Sequence, residues 1–462
     1  MENISQWKAF RLLEILSKAE RKVFFQAWTG SPGAQQLLSH MLYVLGDKKL
    51  GQKDPAGLSQ SEGSWRVFAS EITKALEVFL AQEELKKDRF LADRLLLKRL
   101  NQAKAYHLFD PYAKAAQNRL AKSGERGPEY YQHLLQFHTE IQSRSVSSSG
   151  RGAMEPLQAA WQAHETYTWQ NTLHLLTILT NQNRVTREAF VPPAWSQNLV
   201  EQIEALPLAR QGALVHLFLQ AYKLAQGEKT DLPALGKRIR EEAPQLPRVL
   251  QQDFYFLLYN QLINKSWQDP GPETYLFLKG WLQEGFEKKL WQVEGHLPFL
   301  IFLTWLRVHF YLQDPEHIEA SFSAHLQTLA PAYREQAKHF GQGFIAYAKG
   351  DYQTVLNADL YLEKQPLRSL QASYQFLLLQ ACYHLGDDEQ LERKLRNFSQ
   401  WLQRQPQASL KRLSTYQLRL NTFRKFIKQK TDQEEAAFYQ ELESSALPFH
   451  ARTFFLKARK KR

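Results

Sequence analysis

The sequence predicts an all-α protein in which pairs of helices stack in chain order, and three observations support this fold class. Apolar residues recur at helical spacing through most of the 462 residues. No segment shows the strict alternation between hairpin turns that is typical of strands. Turn residues recur at positions 314, 350 and 386, which are 36 residues apart. Because this interval is close to the roughly 34-residue period of helix-pair repeats, we expect an α-α superhelix, or solenoid, in which each pair packs on the next.

The first 150 residues are predicted to form an N-terminal helical lobe. Ser17 and Glu20 have the spacing of a capping box, which would begin a helix at Lys18. A long helical stretch is expected from residue 64 to about residue 107, where apolar residues keep helical spacing. The serine-rich and glycine-rich residues 143–152 favour a flexible loop, which predicts a boundary between two lobes.

The rest of the chain is predicted to contain the solenoid and a basic end. Residues 153–430 are expected to form the helix pairs, and residues 431–462 a C-terminal helix with a basic tail. The clearest pairs are expected at residues 297–331, 340–366 and 370–405. Length does not fix the number of domains, because a solenoid of this size can be one continuous body.

Composition restricts the class of protein. The chain is 44% apolar and 13% aromatic, enough for a packed core, and its 23% charged residues argue against large-scale disorder. The single cysteine, Cys382, excludes an intramolecular disulfide and is expected as a small buried residue in a reducing compartment. The N-terminus shows no secretory signal, and the most apolar stretch, residues 297–306, is shorter than the roughly 20 residues that span a bilayer. We therefore expect a cytoplasmic protein without membrane insertion.

The turns in the second half of the chain carry a resemblance to a known repeat. Gly350, followed by Asp351 and Tyr352, looks like the inter-helix turn of a tetratricopeptide repeat, and Gly386 lies in a similar turn. The resemblance implies a helix-pair superhelix. The chain departs from such repeats where they keep small residues in the second helix, and these larger residues are expected to spread the helices. The residues at those positions are Val355, Leu362, Leu391 and Phe398.

More broadly, the chain resembles a group of uncharacterised bacterial all-helical proteins, of the Bacteroidetes type, with tetratricopeptide-like repeats. The similar segments are residues 10–28, residues 65–80 and the pattern of residues 257–265, followed by the helix pairs and the basic C-terminus. This resemblance implies the fold and a bacterial cytoplasmic setting. It implies no activity.

No motif for catalysis, cofactor binding or metal binding stands out. The sequence has 14 histidines but no His-Glu-x-x-His, and the closest pairs, His133 with His138 and His309 with His317, lack the spacing that places two ligands on one helical face. A phosphate-binding Gly-x-x-x-x-Gly-Lys and a Gly-x-Ser-x-Gly elbow are also missing. We therefore predict a protein that is not an enzyme and has no cofactor or metal, with an enzyme site assembled from distant residues as the alternative.

The strongest charge pattern is a basic segment near the C-terminus. Lys and Arg outnumber Asp and Glu by 59 to 47, which gives a net charge of +12. Eleven of these cations lie between Glu392 and Asp432 with no acidic residue among them. They are Arg393, Lys394, Arg396, Arg404, Lys411, Arg412, Arg419, Arg424, Lys425, Lys428 and Lys430.

The basic segment has two interpretations. Trp401, Tyr416, Phe423 and Phe426 are interleaved with the cations, a combination that can bind phosphates and stack on bases. Alternatively, the cations form a solvated face, because Tyr416, Phe423 and Ile427 gather on one side of the helix as core residues do.

Two functions follow as hypotheses. The first is a non-enzymatic helical-repeat scaffold whose stacked pairs hold a protein or peptide partner in a groove lined with Tyr, Trp, Arg and Asn. The alternative is a nucleic-acid-associated protein that uses the basic surface of residues 393–430.

Overall fold

The computed structural model describes residues 6–51, 62–149, 153–185, 191–269, 271–312, 314–357, 368–405, 407–429, 431–445, 447 and 449–459. Of these residues, 82% are helical, in 23 α-helices, and none forms a strand. The predicted all-α class is therefore confirmed. Within the same ranges, no helix is long and apolar enough to cross a membrane.

The helices follow one another through short connections. They are α1 (Lys8–Ile15), α2 (Lys18–Ala27), α3 (Pro32–Val44), α4 (Glu62–Lys87), α5 (Arg89–Gln102), α6 (Tyr106–Lys122), α7 (Pro128–Ser149), α8 (Met154–Val185), α9 (Ala194–Ala205), α10 (Leu208–Gln211), α11 (Ala213–Gln226), α12 (Leu232–Glu242), α13 (Arg248–Ser266), α14 (Glu273–Glu287), α15 (Phe299–Tyr311), α16 (Pro315–Leu326), α17 (Pro331–Lys349), α18 (Tyr352–Asn357), α19 (Arg368–Leu385), α20 (Asp388–Gln403), α21 (Gln407–Ile427), α22 (Asp432–Ser444) and α23 (Phe449–Arg459).

The chain divides into two compact units. The N-terminal unit comprises residues 1–124 and 129–167, and the C-terminal unit comprises residues 125–128 and 168–462. In the N-terminal unit, one cluster of buried residues joins α1 to α4 and a second joins α5, α6 and α7. The predicted boundary at residue 150 and the predicted range of the repeats stay predictions.

Helix ends in the N-terminal unit follow from capping side chains. The predicted capping box is confirmed, because the Ser17 hydroxyl accepts from the Glu20 N–H and the Glu20 carboxylate accepts from the Ser17 N–H. The helical stretch expected from residue 64 to about 107 is divided at Asp88 into α4 and α5, and α6 begins at Tyr106. The Asp88 carboxylate accepts from the Leu91 N–H at 2.8 Å, which satisfies one of the free N–H groups at the start of α5.

The serine-rich segment differs from its prediction as a flexible loop. Residues 143–149 continue α7, and residues 150–152 lie outside the described residues. The Ser147 hydroxyl donates to the Ser143 carbonyl at 2.8 Å within the helix. The Arg144 guanidinium lies 4.1 Å from the Tyr106 ring centroid and donates to Asp110 at 3.1 Å. These contacts with α6 outweigh the weak helix propensity of the serines.

The C-terminal unit packs its helices in chain order. From α13 to α22 each helix contacts the next, and α15, α17, α19 and α21 also contact one another in succession. Gly350 and Gly386 end α17 and α19 with φ of 81° and 71°, in the left-handed region that favours glycine. Asp314 precedes α16. The three turns predicted at constant spacing therefore separate helices that contact each other.

The larger residues that stand where tetratricopeptide repeats keep small ones lie in the core of the C-terminal unit, as far as they are described. Val355, Leu391 and Phe398 are buried, whereas Leu362 lies outside the described residues. Cys382 is fully buried, as predicted, and its thiol donates to the Gln390 side chain at 3.4 Å. Burial raises the pKa of the Cys382 thiol to about 11, so the thiol stays protonated at neutral pH.

Candidate functional site

A cavity of about 580 Å³ lies in the C-terminal unit. Residues from α15, α17, α19, α21 and α23 line it, together with Asp314, Ile318 and the start of α18. The last helix, α23, is held here because the Phe449 N–H donates to the Asp269 carbonyl at 2.9 Å, beyond the end of α13. The cavity therefore joins helices that are far apart in sequence.

The walls of the cavity are mostly aromatic. The Tyr352 and His384 rings stack with their centroids 4.5 Å apart. Phe310 meets the Tyr347 ring edge to face at 5.4 Å, and Phe454 meets His384 at 5.7 Å. Such rings present rigid apolar surface, and few side-chain torsions need to be fixed when a ligand contacts them.

A buried arginine forms one side of the cavity. Arg419 is only 3% exposed, and its guanidinium carbon lies 4.0 Å from the centroid of the Phe376 ring. Its Nε and Nη1 atoms are buried and have no hydrogen-bond partner among the described residues. Arg419 occupies this place because it lies on the same face of α21 as the buried residues Tyr416, Leu420 and Phe423.

A second arginine, Arg307 of α15, lies close to the first. Its guanidinium carbon is 5.1 Å from the Trp267 ring centroid, and its Nε is buried and has no hydrogen-bond partner in the described ranges. The Tyr311 hydroxyl is hydrogen-bonded to both Arg307 and Arg419. Neither arginine forms an ion pair with a carboxylate from the described ranges. The arginines are therefore surrounded by aromatic rings and hydroxyl groups instead of acids.

The two guanidinium groups make this part of the cavity electropositive. Burial alone would raise the pKa of the Tyr311 hydroxyl, but Arg307 and Arg419 outweigh burial and lower that pKa below its ordinary value. Removing a cation from water costs several kcal/mol, and contact with an aromatic face returns only about 1–2 kcal/mol. A negatively charged group at this place would offset the rest.

The one carboxylate that lines the described cavity, Asp314, already has cationic and polar partners. Its oxygens accept from the Lys279 ammonium at 2.8 Å and contact Nδ1 of His309 at 3.1 Å and Nδ1 of His317 at 2.5 Å. Burial alone would raise the pKa of Asp314, but these hydrogen bonds hold it well below its usual range. Asp314 is therefore not the counter-ion of Arg419.

The eight cations of the predicted basic segment whose side chains are described differ in their exposure. Arg419 alone of those described lines the cavity. Arg393, Arg396, Arg404, Lys425 and Lys428 are exposed, and Lys394 and Arg424 are partly buried. The Lys425 ammonium pairs with Glu441. The side chains of Lys411 and Arg412, and Lys430 as a whole, lie outside the described residues.

The aromatic residues of the basic segment belong to the core. Tyr416, Phe423 and Phe426 are at most 1% exposed, so their rings are not accessible for stacking on bases. Trp401 is partly buried. A nucleic-acid surface in this segment would therefore depend on phosphate contacts from the exposed cations.

The proximity of the partly buried Arg307 to the buried Arg419 was not predicted from the sequence, although two signals were present. Arg307 interrupts the most apolar stretch of the chain. Arg419 lies three residues after Tyr416 and four before Phe423, inside the apolar stripe of its helix. The described lining of the cavity contains tyrosine, arginine and phenylalanine, and neither the tryptophan nor the asparagine that the groove hypothesis expects.

Other chemistry is limited in the described part of the chain. No group of three or more His, Cys, Asp or Glu residues there could hold a metal ion. Comparison of the chain with protein-family models, curated proteins and solved structures gives no match. The cavity lined by the buried Arg419 is therefore the candidate functional site.

Proposed function

We propose that the C-terminal unit is a non-enzymatic scaffold of tetratricopeptide-like helix pairs that binds a protein or peptide partner. The observation that carries this proposal is the packing order from α13 to α22, in which α15, α17, α19 and α21 follow one another side by side. In a helical repeat, equivalent helices of successive pairs form a continuous binding face. These four helices would be the equivalent helices, and all four line the cavity.

The cavity suits part of a peptide. Its volume of about 580 Å³ lies within the usual range for ligand sites and would hold a few side chains. Tyr352, which is partly buried at the start of α18, presents an aromatic ring of the kind that contributes most to binding energy at interfaces. The buried cysteine and the resemblance to bacterial helical proteins support a bacterial cytoplasmic setting.

Selection from a displayed peptide library, followed by fluorescence anisotropy, tests the scaffold proposal. We expect selected peptides to bind the wild-type chain, and Tyr352→Ala to weaken binding about tenfold, as expected for loss of an interface aromatic. Tyr333→Ala is the matched control, because Tyr333 is 46% exposed near the start of α17 and does not line the cavity. Failure to enrich any peptide, or equal binding to Tyr352→Ala and wild type, would contradict the proposal.

Association with nucleic acid is the second candidate function. It is favoured by exposed cations in the basic segment, with Arg393 and Arg396 on α20 and Lys428 directly after α21. Such cations would bind phosphates without reading sequence.

A further inference from the structure

We infer that the cavity of the C-terminal unit binds a small organic anion, whose charged group contacts Arg419 and whose apolar body lies among the aromatic rings. The inference concerns the same cavity as the proposed scaffold. It requires neither the repeat assignment nor a peptide partner, so the two proposals can fail separately.

Arg419 supplies the first step. An arginine side chain has five N–H donors and no acceptor, and it stays charged in proteins. In this structure Arg419 is buried and lines the cavity, and its Nε and Nη1 make no hydrogen bond to any residue that the structure describes. Unpaired buried donors are uncommon in folded proteins and are usually satisfied by a ligand, ion or water. The acceptor that Arg419 lacks is most strongly supplied by a carboxylate, phosphate or sulfonate oxygen.

The surrounding charges decide the sign of the ligand. Arg307 adds a second guanidinium, linked to Arg419 through the Tyr311 hydroxyl. Asp314 is already bonded to Lys279 and two histidines, so it leaves the arginines uncompensated. Lys349 and Lys457 also line the cavity and are exposed, and the Lys349 ammonium pairs with Glu319 at 2.6 Å. Anions are therefore attracted and cations are repelled.

The aromatic walls decide the shape of the ligand. Phe376 packs one face against Arg419, while Tyr352 and His384 form a stacked pair in the same cavity. A flat apolar group in the cavity would bury its surface against these rings while its charged end contacts the Arg419 guanidinium. A volume of about 580 Å³ is suited to a molecule of one or two fused rings with short substituents.

Isothermal titration calorimetry on the full chain tests this inference with three probes that share one ring system. The probes are 2-naphthoate, 2-naphthyl phosphate and the uncharged 2-naphthylmethanol. We expect at least one anion to bind with a Kd about tenfold or more below that of the alcohol. The tighter of the two anions assigns the charged group as a carboxylate or a phosphate. Equal affinity for the alcohol and both anions, or no binding by any probe, would overturn the inference.

Substitution of Arg419 tests whether this residue causes the preference for anionic probes over the alcohol. Arg419→Met should remove the difference between anion and alcohol, and it is expected to fold because an apolar residue of similar length replaces an unpaired buried cation. Arg396→Met is the matched control, since Arg396 is exposed on α20 outside the cavity. If Arg419→Met does not fold, Ala348→Trp blocks the cavity from α17 and should abolish binding of both anions. Unchanged anion binding in either cavity variant would overturn the inference.

The two proposals are distinguished by their separate ligands. Anion binding without any selected peptide would contradict only the scaffold. Peptide binding that depends on Tyr352, with no preference for naphthyl anions over the alcohol, would contradict only the anion site.

Discussion

At the scale of single residues, the environments of Arg307 and Arg419 are formed by side chains from distant parts of the chain. The Arg307 guanidinium contacts Trp267 after α13, and the Arg419 guanidinium contacts Phe376 of α19. Both reach the Tyr311 hydroxyl. Helical spacing places Arg419 on the apolar face of α21, but only the approach of these other helices buries it. The sequence alone therefore groups Arg419 with the surface cations around it.

Tyr311 should reveal the arginine pair in a spectroscopic titration. Its pKa is lowered because the attraction of Arg307 and Arg419 outweighs burial, whereas burial raises the pKa of Tyr259 to about 12. We expect the phenolate absorbance of the wild-type chain to include a step below pH 10 that Tyr311→Phe removes. Tyr259→Phe should leave this step in place. If the phenolate step below pH 10 is the same in Tyr311→Phe and in the wild-type chain, the contact of Tyr311 with Arg307 and Arg419 is contradicted.

His309 should make stability sensitive to mild acid. Burial and the nearby Lys279 ammonium lower its pKa from 6.5 to about 4. Between these two pH values the unfolded chain binds more protons than the folded chain, so the contribution of neutral His309 is full above pH 6.5 and is lost as pH falls to about 4. The loss is about 3 kcal/mol.

Urea unfolding across this pH window measures the effect of His309. His309→Asn keeps a donor near the position of Nδ1 but cannot titrate there, so its free energy of unfolding should fall less on acidification than that of the wild-type chain. The pKa values of His138, His216 and His325 are also lowered by burial, but these residues are present in both proteins and cancel in the comparison. Parallel pH profiles of the two proteins would contradict the prediction.

At the scale of helices, local signals predict the ends well and tertiary contacts explain the exceptions. Helix α9 begins after Pro193 and ends before Pro207, and α12 begins after Asp231, whose carboxylate accepts from the Ala234 N–H. Gly350 and Gly386 mark helix ends because only glycine adopts their positive φ without strain. The serines at the end of α7 mislead, because Arg144 anchors that segment to α6.

Two mid-helix glycines should respond in opposite ways to alanine. A Cβ at Gly343 in α17 would collide with the ring and hydroxyl of Tyr374, which is 1% exposed and has little room to move. Gly343→Ala should therefore lower the free energy of unfolding by about 1–3 kcal/mol. At Gly280 in α14 nothing lies within 4 Å of the added carbon, so Gly280→Ala should raise it by about 0.5–1 kcal/mol. Urea denaturation followed by circular dichroism measures both, and stabilisation by Gly343→Ala would contradict the packing of α17 on α19.

At the scale of the whole molecule, the order of helix packing was more predictable than the site. A constant turn spacing depends on local residues, and the helices on either side of these turns contact each other. The cavity depends on pairs such as Arg307 with Tyr311 and Arg419, whose positions follow only from the assembled helices. The chain also has a net charge of +12, which is a property of the whole sequence and not of the cavity.

Because of this net charge we expect the chain to bind RNA, and variants of selected cations test which residues contribute to that binding. In a filter-binding assay, we expect the chain to retain RNA in dilute buffer and to lose it by about 200 mM salt, as for sequence-independent phosphate contacts. Replacing the exposed Arg393 and Arg396 together by glutamine should weaken retention, while Arg419→Met should not, because Arg419 is buried. If retention in dilute buffer depends on Arg393 and Arg396, these cations form the nucleic-acid surface. Equal retention by the double variant and the wild-type chain, or no retention even in dilute buffer, would contradict this candidate function.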